Sequence, residues 1–180
     1  MTLVFRDAVR VPGLLSLSRL PLGLVFPLVW SQPTEAIGVI AAAATTDVLD
    51  GWCARRFDAA TETGAALDPM MDKTFALLVV GTLLAVRAVT PAEAVLLSTR
   101  EILELPLVAY TFARRIRTTQ RANLAGKVTT VLQFAAVLAV LANSPHRKLA
   151  IAATAVTGVV AGAVYWARAI KIATPAQRRE

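Results

Sequence analysis

Apolar residues in this chain come in long blocks, not in alternation. Six blocks separate: residues 14–30, residues 36–44 continuing into Thr45-Thr46-Asp47, residues 74–89, a stretch opened by Pro91 and running to 113, residues 128–142, and residues 149–172. Their Leu, Val and Ala content and the lack of a two-residue period favour helices over a barrel. Crossing a hydrocarbon core of ~30 Å takes ~20 residues at a rise of ~1.5 Å each. A chain of 180 residues with short loops therefore holds about six or seven crossings. The expected fold is an all-α integral membrane protein with six transmembrane helices. Residues 1–11, where Leu3, Val4 and Phe5 adjoin Arg6, Asp7 and Arg10, are expected to add a short interfacial helix. No internal repeat or second domain stands out, so residues 1–180 read as a single membrane domain.

Composition agrees with that pattern. The chain is 56% hydrophobic and 17% charged, against about 45–50% and about 25% for a soluble domain. Nineteen Lys and Arg against twelve Asp and Glu give a net charge of +7. In a membrane chain such an excess belongs to cytoplasmic loops beside anionic lipid and not to nucleic acid. Arg6 and Arg10, Arg55, Arg56 and Lys73, the run Arg114, Arg115, Arg117, Arg121 and Lys127, and Arg168, Lys171, Arg178 and Arg179 fall on one side of the six blocks. Only Arg87, Arg147 and Lys148 fall on the other. Both termini and the two basic loops are thus expected to be cytoplasmic. The lone Cys53 excludes an internal disulfide, and the lone His146 cannot make a histidine-rich metal site. The first residues lack the features of a removable signal.

Candidate chemistry concentrates between Asp47 and Asp72. Asp47, Asp50, Gly51, Ala54 and Arg55 fall at i, i+3, i+4, i+7 and i+8, one face of a helix. Asp68 and Asp72 are i, i+4 on the next helix, with Asp68 before Pro69 also placed as a helix cap would be. A short turn over residues 57–63 makes the two helices antiparallel neighbours. Four carboxylates then converge near the cytoplasmic end of the bundle, which is costly unless a cation sits among them. The donor set is all oxygen and suits a hard divalent ion, Mg2+ or Mn2+. Two such ions held together are a recurrent device for phosphoryl chemistry. Gly51 and Ala54 let a ligand approach the helix backbone, and Arg55 can fork onto a phosphate oxygen.

The string Asp47-x2-Asp50-Gly51-x2-Ala54-Arg55-x8-Gly64-x3-Asp68-x3-Asp72 resembles the complete signature of the CDP-alcohol phosphatidyltransferase family. The six-helix layout is similar as well. The resemblance implies displacement of CMP from CDP-diacylglycerol by an alcohol, at the cytoplasmic face of a bacterial-type inner membrane. It implies that Asp47, Asp50, Asp68 and Asp72 bind two Mg2+ or Mn2+ ions. It also implies that Asp72 takes the acceptor's proton, and that Asp47, Gly51, Ala54, Arg55 and Gly64 bind the cytidine diphosphate. A homodimer is implied too.

Further stretches are similar to the family's phosphatidylglycerophosphate synthases: residues 12–23, Asp68-Pro-Met-Met-Asp72-Lys73, Arg100-Glu101-Ile102 and residues 126–133. Leu103-Glu104-Leu-Pro106 departs from that branch. Glycerol 3-phosphate is accordingly the expected acceptor, with phosphatidylglycerol, inositol phosphate and serine as alternatives. Its phosphate needs a cationic pocket, for which Lys127, Arg114, Arg115 and Arg117 are candidates; lipid head groups compete for the same charges. Arg100 and Glu104 are spaced as an internal i, i+4 pair. Arg19 is expected to touch a head group or substrate. Trp30, Trp52 and Trp166 suit interfacial anchoring. The rival class is a cation channel or transporter, which predicts acidic residues at mid-membrane on broken helices; here they adjoin a basic loop.

Overall fold

The computed structural model describes residues 11–56, 62–113 and 124–173, with side chains described over 17–49, 70–107 and 124–170. Every element among the described residues is a helix: α1 (Val11–Val29), α2 (Pro33–Arg56), α3 (Glu62–Ala85), α4 (Pro91–Leu97), α5 (Thr99–Ala113), α6 (Leu124–Leu141) and α7 (Arg147–Ala173). The possible interfacial helix at the N-terminus lies outside the described residues. The chain forms two compact units, Met1–Thr90 and Pro91–Glu180.

In the first unit α1 packs against both α2 and α3. Each helix contributes one buried stripe. On α2 it is Ala36, Ile40 and Ala43; on α3 it is Phe75, Val79 and Leu83; on α1 Phe26 is fully buried. These positions recur every three or four residues, so each helix turns one face inward. Gly23 lets α1 and α3 close up, since a Cβ there would lie 2.8 Å from Leu78 Cδ1. Pro33 opens α2 at a position where its missing N–H is no loss. The chain leaves α3 through a Schellman turn: Arg87 takes φ 58°, Arg87 N–H donates to Leu84 O and Ala88 N–H to Leu83 O.

In the second unit α7 packs against α4, α5 and α6. Gly158 and Gly162 form its contact with α5, where added Cβ atoms would lie 3.2 Å from Arg100 N and 2.9 Å from Leu103 Cβ. Buried Ala136, Val137, Val140 and Leu141 on α6 and Ile151, Ala155 and Ala161 on α7 fill the remaining core. A second Schellman turn ends α6, with Asn143 at φ 48° and Ser144 N–H donating to Ala139 O.

Large apolar side chains also point outward: Leu24 and Leu28 on α1, Leu77 on α3, Val131 on α6 and Leu149 on α7 are all exposed. Outward leucines on helices that already bury an apolar stripe suit a lipid environment. Two helices, Leu124–Leu141 and Arg147–Ile170, meet the length and hydropathy of a membrane crossing, and the shorter Leu17–Val29 is apolar as well.

Two boundaries differ from the sequence expectation. The fourth apolar block is two helices, parted at Ser98, although Ser98 N–H still donates to Ala94 O and Ile102 N–H to Ser98 O. The Thr99 hydroxyl donates back to Val95 O and Leu96 O, a contact that bends helices. Helix α3 starts at Glu62, inside the expected turn and well before the apolar block. Asp68 is consequently six residues into α3 and is not its cap.

Candidate functional site

The buried stripes of the first unit end in charge. On α2 the series Ala36, Ile40, Ala43 continues at helical spacing to Asp47; on α3 the series Leu83, Val79, Phe75 continues to Asp72; on α1 Phe26 and Gly23 lead to Arg19. Packing that brings the apolar parts of the stripes together thus brings the three charged ends together too.

The contact is direct. Arg19 Nη2 donates to Asp47 Oδ1 at 2.7 Å, and Nη1 donates to Asp72 Oδ1 at 2.6 Å. The partners lie 28 and 53 residues away along the chain, so one guanidinium ties all three helices. Arg19 is 2% exposed, whereas the Asp47 and Asp72 side chains are 38% and 46% exposed. The cation is sealed among the helices, and the carboxylates remain open to a ligand from their other side. Charge-assisted bonds this short are the strong kind, and the guanidinium neutralises carboxylates that packing would otherwise crowd together.

Other expected site residues divide by position. Asp50, Gly51, Ala54 and Arg55 lie on the last turns of α2, and Gly64 and Asp68 on the first turns of α3; their side chains lie outside the described residues. Among the described residues no group of three or more His, Cys, Asp or Glu gathers at a metal-binding spacing. Asp47 and Asp72 do fit a hard cation: two carboxylates from different helices already meet on one positive group, with oxygen as the sole donor type. Lys127 lies exposed in the first turn of α6 in the second unit. Arg114, Arg115 and Arg117 lie outside the described residues.

The second unit holds a different polar cluster. Arg100 Nε donates to Glu104 Oε1 at 2.9 Å, the i, i+4 pair that the spacing suggests, and Arg100 Nη1 donates to the Thr130 hydroxyl at 2.5 Å. Gln133 Nε2 donates to Leu97 O at 3.0 Å and lies 3.4 Å from both Glu101 oxygens. Trp166 Nε1 donates to Leu103 O at 3.1 Å, three residues before Pro106, where proline disturbs the helical ladder. That indole is engaged with α5. His146 is exposed, as its loop position suggests.

Sequence reasoning placed Arg19 against a head group or substrate and missed its role as the bridge between two signature aspartates. The signal was present: Arg19 is the only charged residue from 11 to 34, and a lone charge in an apolar helix calls for a partner. Its partners sit on helices whose packing order the sequence does not state.

Comparison with known proteins agrees with the signature. The family model for CDP-alcohol phosphatidyltransferase matches residues 9–167, a range that takes in most of both units. Curated relatives include the CDP-diacylglycerol–glycerol-3-phosphate 3-phosphatidyltransferases of Escherichia coli (strain K12), Escherichia coli O157:H7 and Shigella flexneri serotype 5b. Each is 44% identical over 70 residues, which is 36% of this chain and 38% of the relative. The matched stretch thus spans well under half the length of those relatives.

Proposed function

The chain belongs to the CDP-alcohol phosphatidyltransferase family, and we propose that it transfers a phosphatidyl group from CDP-diacylglycerol to glycerol 3-phosphate with release of CMP. The observation that carries this reading is the meeting of Asp47 and Asp72, the first and last aspartates of the signature, on one buried cation. Glycerol 3-phosphate as acceptor is supported by the 44% identity to enzymes named for it.

In this reading the acceptor's hydroxyl oxygen bonds to the phosphorus that carries diacylglycerol. The bond from that phosphorus to the bridging oxygen breaks, and CMP leaves with the electron pair. Asp72 accepts the hydroxyl proton, from a position at the open edge of the site. Asp47, Asp50, Asp68 and Asp72 would hold two Mg2+ or Mn2+ ions, which when bound supply positive charge to the diphosphate and to the departing CMP. Gly51, Ala54 and Gly64 leave room for the cytidine diphosphate beside the backbone, and Arg55 forks onto a phosphate oxygen. Lys127, Arg114, Arg115 and Arg117 are the candidates for the acceptor's phosphate on sequence grounds. The proposal includes six crossings, both termini on the cytoplasmic side of a bacterial-type inner membrane, and a homodimer.

The test supplies purified protein with CDP-diacylglycerol, Mn2+ or Mg2+, and glycerol 3-phosphate, inositol phosphate, inositol, serine or phosphatidylglycerol in separate reactions. CMP release with glycerol 3-phosphate is expected. Release only with another acceptor would reassign the substrate, and release with none would remove the enzymatic reading.

A further inference from the structure

We propose that Arg19 is a displaceable internal counter-ion, which holds Asp47 and Asp72 in place without metal and yields them to a divalent cation, thereby setting the metal affinity of the site. The inference rests on the reading that these carboxylates bind Mg2+ or Mn2+, and it concerns a residue outside the eight fixed positions of the signature.

Geometry favours exchange. The guanidinium spends two different nitrogens on two carboxylates from two helices, and so fills the cationic role that their approach creates. A divalent ion on carboxylate oxygens sits at about 2.0–2.1 Å for Mg2+. It would then lie only a few ångströms from a guanidinium that is 2% exposed and poorly screened by water. Two cations so placed repel, so neither holds both aspartates at full strength while the other remains. The aspartates are accessible from their exposed side, which gives an ion a way in that does not pass through Arg19.

The helices need not move for this exchange. Gly23 and Phe26 fix α1 one and two turns beyond Arg19, the first against Leu78 and Phe75 and the second fully buried. The long arginine side chain can therefore swing while its backbone stays. Linkage then requires reciprocity: Arg19 weakens metal binding by the same factor by which metal weakens the Arg19 contacts. The metal-free site stays assembled, and metal binds less tightly than the carboxylates alone would allow.

The experiment titrates Mn2+ into detergent-purified wild type, Arg19→Gln and Arg19→Lys, following free Mn2+ by electron paramagnetic resonance, with thermal unfolding measured with and without Mn2+. Arg19→Gln is expected to bind Mn2+ about tenfold tighter, the middle of the usual range for coupled sites. It should melt lower than wild type without metal and gain more from Mn2+. Arg19→Lys keeps the charge but replaces a planar fork by one ammonium, and should bind with intermediate strength. A residue that merely supports the fold would lower the melting temperature without tightening Mn2+ binding, and that result overturns the proposal. If Arg19→Gln does not fold, Arg19→Lys decides: tighter binding supports the exchange, and equal or weaker binding overturns it. Absence of Mn2+ binding in wild type and both variants would instead overturn the metal reading on which the proposal stands.

Discussion

Among the described residues each unit of the molecule has an arginine paired with acid, and the two pairings are built differently. In the first unit Arg19 reaches across to α2 and α3, and its aspartate partners keep 38% and 46% of their side chains exposed. In the second unit Arg100 pairs with Glu104 on its own helix, and Glu104 keeps only 8%. A sealed acid whose partner is one turn away can organise a core but offers a ligand little. Two open acids gathered from separate helices onto one cation can exchange that cation for another. Exposure and chain separation, more than charge, distinguish the candidate site from the structural cluster.

The comparison can be broken in order of expected effect. Chelating divalent metal with EDTA should reduce CMP release to background, with activity restored by Mn2+; release that persists in EDTA would remove the metal from the site. Glu104→Ala should cost about 1.5–3 kcal/mol, because it removes the charged acceptor that Arg100 holds at 2.9 Å, and a denaturation curve within 1 kcal/mol of wild type, on the order of experimental scatter, would show that the second cluster is not structural. Gly162→Ala should cost about 1–3 kcal/mol by overpacking α7 against Leu103, which is likewise read from denaturation curves. Arg87→Gly should stabilise the chain by roughly 1 kcal/mol, since glycine adopts the left-handed conformation at that turn without Cβ strain; a lower melting temperature would contradict it.

Much of this contrast was legible in the chain, but unequally. The Arg100–Glu104 pair is local, and its spacing on one helix was enough to predict it. The helical class followed from apolar blocks without a period of two. That Asp47 and Asp72 come together was expected from the short connection between their helices, each of which packs on α1. The Arg19 bridge was not legible, because it depends on α1 packing between two helices and on where three buried stripes run out. The start of α3 was obscured for a related reason: residues 62–73 are mixed in polarity, and Asp68-Pro69 looks like a boundary because the residue before proline usually avoids the helical conformation. The break at Ser98 is marked by no glycine or proline; the Thr99 hydroxyl, at the start of α5, donates back to Val95 O and Leu96 O of α4. The signature residues on the last turns of α2 and first turns of α3 were read from spacing alone, and their side chains lie outside the described residues.

The central claim is that the open carboxylates of the first unit perform the chemistry while the sealed acid of the second supports the fold. Rates of CMP release from CDP-diacylglycerol with Mn2+ and glycerol 3-phosphate, measured side by side for wild type, Asp72→Asn and Glu104→Gln, test it most directly. Loss of the proton acceptor should slow Asp72→Asn by about 100-fold or more, while folded Glu104→Gln should stay within about tenfold of wild type. Wild-type turnover in Asp72→Asn, or a loss in Glu104→Gln as deep as in Asp72→Asn, would contradict the account.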